Sequence, residues 1–216
     1  MTSMTNPKIQ LYKPLESTIE SLVNNFSSIS ADRKPILKRL TDFVESKLKS
    51  NQKVELVFIC THNSRRSHIS QIWAQAAAAY YGIPNIVSYS GGTEATTFNP
   101  RAVQAIERVG FKVRKTSNAD NPIYEVSFSD GANDIIAFSK KYDSESNPQK
   151  GFAAVMTCSH ADENCPVVLG MGKRISLPYN DPKDFDGTPQ EAEKYSERVI
   201  EIGTEILYAF SQVKVK

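Results

Sequence analysis

The chain has 216 residues, a length that suits one domain or one domain with an appendage. Its 26 Lys and Arg residues nearly balance 24 Asp and Glu residues, giving a net charge of +2, which argues against a general nucleic-acid binder or a polybasic membrane binder. No apolar run approaches the ~18 residues of a membrane span, and the first residues lack the apolar core of a secretory signal.

Three cysteines are present: Cys60, Cys158 and Cys165. Because their number is odd and the chain is not small, they favour reduced thiols over a secreted disulfide scaffold. We therefore expect a cytoplasmic protein. Its cysteines serve catalysis, redox chemistry or metal binding, or they pack as small buried hydrophobes.

The first fifty residues predict two helices. Apolar residues recur at helical spacing over 15–26 and 36–48, and Pro35 suits the first turn of the second helix. Each helix has an apolar stripe that the main domain or a partner must cover. We therefore expect residues 1–50 to form a helical extension and residues 51–216 to form the main domain.

After the extension, strand and helix patterns alternate. Residues 54–59 are a β-favouring apolar run, as in a central parallel strand. A helix ending near Gly82, a strand at 86–89 and a helix capped by Asn99 follow. This order predicts an α/β fold with a doubly wound (flavodoxin-like) parallel sheet flanked by helices.

The middle of the chain breaks this alternation. Two strand patterns flank Asp130-Gly131, which predicts a β-hairpin. Together with the polar stretch after it, the hairpin forms a predicted insertion over 123–150. The alternating pattern then returns, with strands at 152–157 and 174–177 and a closing helix at 189–210.

A polar loop, Cys60-Thr-His-Asn-Ser-Arg-Arg66-Ser67, joins the first buried strand to the next helix. Ligands of open α/β sheets lie beyond the C-terminal ends of the strands. A loop there that runs into a helix directs several backbone N–H groups and the helix dipole at one point. A tetrahedral oxyanion fits such a cradle, and the same field favours the thiolate form of Cys60.

The side chains of this loop support an anion-binding nucleophile. Arg66 can grip two oxygens with its planar fork, and Ser67 can donate a hydrogen bond to the thiolate or the departing thiol. The predicted oxyanion-binding residues are Thr61, His62, Asn63, Ser64, Arg65 and Arg66. The alternative is a buried cysteine beside two solvated arginines. His62 and His68 flank the loop, and solvated or capping roles are expected for both.

The loop resembles the active-site loop of the low-molecular-weight protein tyrosine phosphatase superfamily, and is closest to its thioredoxin-coupled arsenate reductases. Residues 88–92 and 99–106 also resemble family segments, and the resemblance spans about 54–210. The family usually has Gly at position 62, which implies a positive φ that His62 adopts less readily. Arg65 stands where the reductases usually have Cys, and it adds positive charge at the mouth of the site.

Some reductases of this type hold a potassium ion near the loop. Asn63 and Ser90 match that site. Gln71, however, stands where an acidic ligand is expected. We therefore predict neither this cation nor any other bound metal.

Asp181 precedes Pro182 shortly before the final helix. In-line displacement at phosphorus or arsenic needs a proton delivered to the leaving oxygen, and the resemblance gives that role to Asp181. The alternative is an ordinary Asp-Pro turn, with Asp184 and Asp186 as equivalent surface acids. Phosphatases of this class often have aromatic residues directly after the Asp-Pro pair. Lys183 in that position argues against a phosphotyrosine substrate.

Cys158 follows another buried strand, so we expect it at the same sheet edge as Cys60. The Cys158-x6-Cys165-Pro element resembles the redox segment of the thioredoxin-coupled reductases, and its six intervening residues look polar, exposed and mobile. The resemblance implies a disulfide relay from Cys60 through Cys158 to Cys165, which a thioredoxin-like protein then reduces. A half zinc site that includes His160, or inert packing of the two cysteines, are the alternatives.

Three functions are therefore considered. The first is an arsenate reductase with no tightly bound cofactor and an external thiol reductant, thioredoxin or similar. The second is a low-molecular-weight protein tyrosine phosphatase or other phosphomonoesterase that uses only Cys60, Arg66 and Asp181. The third, ranked last, is a non-catalytic oxyanion-binding protein that docks partners through its N-terminal helices. The expected substrate is arsenate or a phosphate ester, and neither nucleic acid nor a membrane is an expected partner.

Overall fold

The computed structural model describes residues 9–164 and 167–214. Six helices are present in this part of the chain: α1 (Lys13–Asn24), α2 (Arg33–Lys49), α3 (Arg66–Tyr80), α4 (Pro100–Arg108), α5 (Ser159–Asn164) and α6 (Glu191–Ser211). Seven strands accompany them: β1 (Val54–Cys60), β2 (Ile86–Gly92), β3 (Lys112–Lys115), β4 (Tyr124–Ser127), β5 (Ile135–Ala137), β6 (Ala153–Met156) and β7 (Lys173–Ser176). No helix in the described part of the chain is long and apolar enough to span a membrane.

The central sheet has four strands in the order β2-β1-β6-β7, and all neighbours are parallel. β1 pairs on both sides, which explains why its residues after Glu55 are all buried and read as a continuous apolar run. The predicted doubly wound α/β fold is confirmed. The carboxyl ends of β1 and β6 lie side by side at one edge, which brings the residues following both strands together.

The helices α1 and α2 pack against the main domain. A single hydrophobic cluster includes Leu15 and Leu40 from these helices and Phe210 from α6. Thr41 of α2 also donates a hydrogen bond to the carbonyl of Ala209, at 2.8 Å. The helical extension therefore shares a hydrophobic core with the main domain. The division of the chain into residues 1–50 and 51–216 stays a prediction.

A second, antiparallel sheet has the order β3-β4-β5. Its strands β4 and β5 lie in the predicted insertion over 123–150, whereas β3 precedes that insertion. The β4–β5 hairpin matches the sequence prediction, but β3 adds a third strand that was not predicted. β3 is the short run Lys-Val-Arg-Lys, three of whose four residues are exposed, so no apolar alternation marks it as a strand. A bridge between Gly92 and Lys141 joins the segment after this sheet to the end of β2.

Candidate active site

Cys60 is the last residue of β1 and Arg66 is the first residue of α3, so the intervening loop sits where the sequence analysis placed it. Cys60 is buried, with 3% of its surface exposed. None of the backbone N–H groups of residues 61–66 donates a hydrogen bond within the described part of the chain. Unpaired amide donors at a helix N-terminus are the groups that bind an oxyanion.

The positive φ expected at position 62 occurs one residue later, at Asn63 (φ 44°). Asparagine tolerates this left-handed conformation better than most residues with a Cβ atom, so the loop forms without a glycine. His62 is left half exposed, with its Nε2 3.6 Å from a carboxylate oxygen of Glu94. The left-handed residue of this loop is therefore Asn63, and His62 is not required to adopt a positive φ.

Cys60, Ser67 and Asn63 form a buried hydrogen-bond chain. The Sγ atom of Cys60 lies 3.1 Å from Oγ of Ser67. The side-chain amide of Asn63 donates to the same Ser67 oxygen, at 2.8 Å. Since that oxygen already accepts one hydrogen bond, the Ser67 hydroxyl can donate its own hydrogen to the sulfur of Cys60.

The segment that follows β5 braces the loop from outside. Ser139 donates its hydroxyl to the carbonyl of His62, at 3.0 Å, and the amide of Lys140 donates to Oδ1 of Asn63, at 2.9 Å. Thr96 also donates to the carbonyl of His62. The predicted insertion is thus in direct contact with the loop that carries Cys60.

Arg66 contacts the segment that carries Asp181, residues 179–182, which we call the acid loop. One guanidinium nitrogen donates to the carbonyl of Tyr179 at 2.9 Å, and another donates to a carboxylate oxygen of Asp181 at 2.6 Å. Its Nε is buried without a hydrogen-bond partner among the described residues. The carboxylate of Asp181 also accepts from the amide of Lys183, which caps the short 3₁₀ turn that follows. Arg66 and Asp181, predicted from separate motifs, are therefore in contact.

Arg65 is oriented differently from the expectation that it lies at the mouth of the site. Its Nε donates to the Tyr195 hydroxyl of α6 at 2.8 Å, and a terminal nitrogen approaches Asp186 at 3.5 Å. Asp186 is therefore not equivalent to the surface acids around it. Tyr195 lies in the predicted closing helix, and no local sequence pattern indicates that its hydroxyl binds Arg65.

Arg198 of α6 was not predicted as a site residue. Burial and the charge of Arg66 lower the pKa of its guanidinium, and its Nε is buried without a partner among the described residues. Arg65, Arg66 and Arg198 together place three positive groups around Asp181. Carboxylates partly offset this charge, since Arg65 and Arg66 pair with Asp181 and Arg198 pairs with Glu201.

Cys158 lies two residues after the end of β6 and is buried. Its Sγ is 3.5 Å from the hydroxyl of Thr61 in the oxyanion loop, and it accepts from the amide of Ala161 at 3.3 Å. Residues 159–164 form the helix α5, so they are not the irregular segment that their polar composition suggested. Cys165, the third predicted cysteine, lies outside the described residues.

His68 is fully buried, which corrects the expectation of a solvated or capping role. Its Nδ1 is 3.0 Å from the Ser90 hydroxyl, and its ring stacks on Phe98 with a centroid distance of 4.2 Å. Burial and the charge of Lys140 hold the pKa of His68 well below its usual value, so the ring is neutral. Burial also lowers the pKa of Lys140 to about 8. His68, Ser90, Phe98 and Lys140 are therefore packed beside the loop that begins at Cys60.

No cluster of three or more His, Cys, Asp or Glu side chains suited to a metal ion occurs among the described residues. The zinc alternative requires Cys165, which lies outside them, so the structure does not test that alternative. Gln71, at the position discussed for a cation ligand, is buried and donates to the carbonyl of Ser88.

No protein-family model matches the chain. An arsenate reductase of Halalkalibacterium halodurans is 31% identical over 141 residues, which cover 65% of this chain and 82% of that protein. An arsenate reductase of Bacillus subtilis is 29% identical over 144 residues, which cover 67% of this chain and 85% of that protein. Among solved structures, an arsenate reductase in the phosphate-binding state is similar over 74% of this chain and 99% of its own, with a TM-score of 0.46 and 16% identity.

Proposed function

Because the chain belongs to the arsenate reductase family, we propose that it reduces arsenate to arsenite through a cysteine relay that starts at Cys60. The family predicted from the active-site loop is thereby confirmed. One observation carries the proposal: the thiol of Cys158 contacts Thr61, the residue next to Cys60 in the loop. A phosphomonoesterase that uses Cys60 alone has no need of a second thiol at this place.

Binding of the tetrahedral anion is the first step. The unpaired loop amides and the free Nε of Arg66 supply donors, and the nearby guanidinium groups supply positive charge. The Cys60 thiolate then attacks arsenic to form an S–As bond, and a hydroxyl group of the arsenate takes a proton from Asp181 and leaves as water. Asp181 must release or share its hydrogen bond with Arg66 when it becomes protonated for this step.

Electron transfer to arsenic is the second step. The Cys158 thiolate attacks the sulfur of Cys60, and an S–S bond forms as the S–As bond breaks. The bonding pair stays on arsenic, so As(V) becomes As(III), arsenite leaves, and two thiols become one disulfide. The short path from Cys158 through Thr61 to Cys60 supports this order of attack.

Regeneration is the third step. Cys165 attacks Cys158, which frees Cys60, and an external dithiol protein of the thioredoxin type reduces the resulting disulfide. The relay needs thiols that are kept reduced, so it fits the cytoplasmic location expected from the sequence. Cys165 enters this scheme through the family resemblance alone.

The decisive experiment compares Cys158→Ser with the wild type in two assays: arsenate turnover with a thioredoxin system, and hydrolysis of a small aryl phosphate. The expected result is loss of arsenate turnover by at least ~10³-fold, with aryl phosphate hydrolysis retained. Cys60→Ser, the matched control, abolishes both activities because it removes the shared nucleophile.

The alternative is a phosphomonoesterase that uses Cys60, Arg66 and Asp181, which the structure brings to one end of the sheet. It predicts that Cys158→Ser leaves both assays at the wild-type level, with arsenate acting only as an inhibitor. That result would eliminate the relay.

A further inference from the structure

In the second step of the proposed relay, Cys158 must lose its proton, and no residue has yet been assigned to accept it. Cys158 is 1% exposed, and a thiol is a poor nucleophile until it loses its proton. Asp181 and Arg66 contact each other at the first-step site and are not bonded to this thiol. The base that accepts the proton of Cys158 must therefore lie elsewhere.

The hydroxyl of Thr61 connects Cys158 to a histidine. Its Oγ1 is 3.5 Å from Sγ of Cys158 and 3.2 Å from Nδ1 of His160. A hydroxyl can accept one hydrogen and donate another at the same time. The order thiol, hydroxyl, imidazole is therefore continuous, with one hydrogen-bonding group between the sulfur and the ring.

We propose that His160 accepts the proton of Cys158 through the hydroxyl of Thr61, which makes Cys158 the attacking thiolate of the relay. This inference rests on the proposed function. Thr61 touches the reacting sulfur, whereas His160 acts through it and is a positioning and proton-accepting residue. The neutral tautomer with an unprotonated Nδ1 is the one that can accept.

The step balances in protons and electrons. The Cys158 proton passes to Thr61, and the original Thr61 hydroxyl proton passes to Nδ1 of His160. The resulting thiolate attacks Sγ of Cys60, the S–As bond breaks, and arsenic keeps the electron pair. His160 ends as an imidazolium, which loses its proton to solvent because its side chain is exposed.

The thiolate would also be held by a second contact, since the amide of Ala161 points at Sγ of Cys158 from 3.3 Å. The charged groups around His160 are separate from this path. Asp162 on the same helix is ion-paired with Arg174 of β7, and Glu163 is exposed. The imidazole of His160 contacts the Thr61 hydroxyl, and the backbone carbonyl of His160 accepts a hydrogen bond from the side-chain amide of Asn164.

The test measures one turnover, in full-length protein carrying Cys165→Ser so that the Cys60–Cys158 disulfide accumulates. Reduced enzyme is mixed with arsenate and quenched, and the disulfide is mapped by mass spectrometry from pH 5.5 to 8.5. We expect His160→Gln to slow disulfide formation by ~10²-fold at pH 7, the range of general-base effects. Glutamine can still bond to Thr61 but cannot take up a proton.

A merely structural role would not produce two further results. The wild-type rate falls as the pH is lowered from 8.5 to 5.5, because a protonated imidazole cannot accept a proton, and His160→Gln lacks that dependence. His160→Ala is rescued by added imidazole, because the position is open to solvent. Glu163→Gln, on the same short helix, is the matched control and keeps the wild-type profile.

Two outcomes overturn the inference while leaving the relay intact. His160→Gln with the wild-type rate and pH profile would exclude His160 as the proton acceptor. A slow His160→Ala that imidazole does not rescue, with an unchanged pH profile, would reduce it to a packing residue. Absence of the disulfide in the wild-type background would instead remove the proposed function, and this inference with it.

Discussion

The guanidinium of Arg33 forms a two-pronged ion pair with the carboxylate of Glu205, at N–O distances of 2.7 and 2.6 Å. Its remaining nitrogen donates to the carbonyl of Pro178 at 3.1 Å, and its charge lies 5.1 Å from the centroid of the Tyr179 ring. Arg33 belongs to α2 and Glu205 to α6, so the N-terminal helices hold the chain just before Asp181. The extension therefore supports the acid loop.

Breaking this ion pair should destabilise the fold. Glu205→Gln leaves Arg33 largely buried without its counter-charge, and we expect a loss of about 3 kcal/mol in the free energy of unfolding measured with urea. Replacing both partners by apolar residues, Arg33→Met with Glu205→Leu, should recover much of that loss. Asp42→Asn, in the exposed Lys38–Asp42 pair, is the control and should leave the urea midpoint unchanged. If Glu205→Gln and Asp42→Asn lowered the urea midpoint equally, the Arg33–Glu205 ion pair would not be the source of the stability.

Lys140 should make stability depend on pH. Burial lowers its pKa from an ordinary 10.5 to about 8, so the unfolded chain binds more protons between those values and stability rises with pH there. Each pH unit in this window is worth about 1.4 kcal/mol, so Lys140→Met should stabilise the protein by up to about 3 kcal/mol below pH 8. The advantage should shrink as the pH rises toward 10.5. Urea midpoints of both proteins at pH 7 and 10 test this, with the exposed Lys141→Met as control.

Ser67→Ala should impair the nucleophile directly. The variant removes the hydroxyl 3.1 Å from the sulfur of Cys60 and leaves the Asn63 amide without its acceptor. We expect aryl phosphate hydrolysis and the alkylation of Cys60 by iodoacetamide at pH 7 each to slow by ~10-fold or more. Ser70→Ala, one turn further along α3, removes a hydroxyl that donates to the backbone carbonyl of Arg66, and it should leave the alkylation rate near wild type. An alkylation rate unaffected by Ser67→Ala would refute the hydrogen-bond assignment.

Gly92→Ala should displace the active-site loop. A Cβ atom there would clash with the carbonyl oxygen of Glu94, and it would lie 2.7 Å from the amide nitrogen of Asn63 and from the carbonyl oxygen of Thr61. All three are backbone atoms, so the loop itself must move. We expect hydrolytic activity to fall by ~10²-fold, the scale of small misplacements at reacting groups. Gly131→Ala, whose nearest contact would be 3.7 Å, is the matched control. Wild-type activity in Gly92→Ala would show that the loop tolerates the shift.

Local sequence patterns predicted those helices and strands in which the order of apolar and polar side chains matches the buried and exposed faces. The apolar run of β1 and the loop that starts at Cys60 are continuous in sequence, so their spacing alone indicated a sheet edge with an anion site. Contacts between distant residues left no such signal. The bond from Arg65 to Tyr195 spans 130 positions, and the brace from Lys140 to Asn63 spans 77. The helix α5 was missed because its six residues include a single apolar one, Ala161, which is too few to show an apolar period.

Ser139 and Lys140, which follow β5, donate hydrogen bonds to the loop that begins at Cys60. The insertion that contains them therefore supports this loop. A shortened variant that lacks the insertion would lose both hydrogen bonds to the loop. A different hairpin inserted in its place would have to make the same two contacts. Attempts to shorten this protein should therefore cut elsewhere.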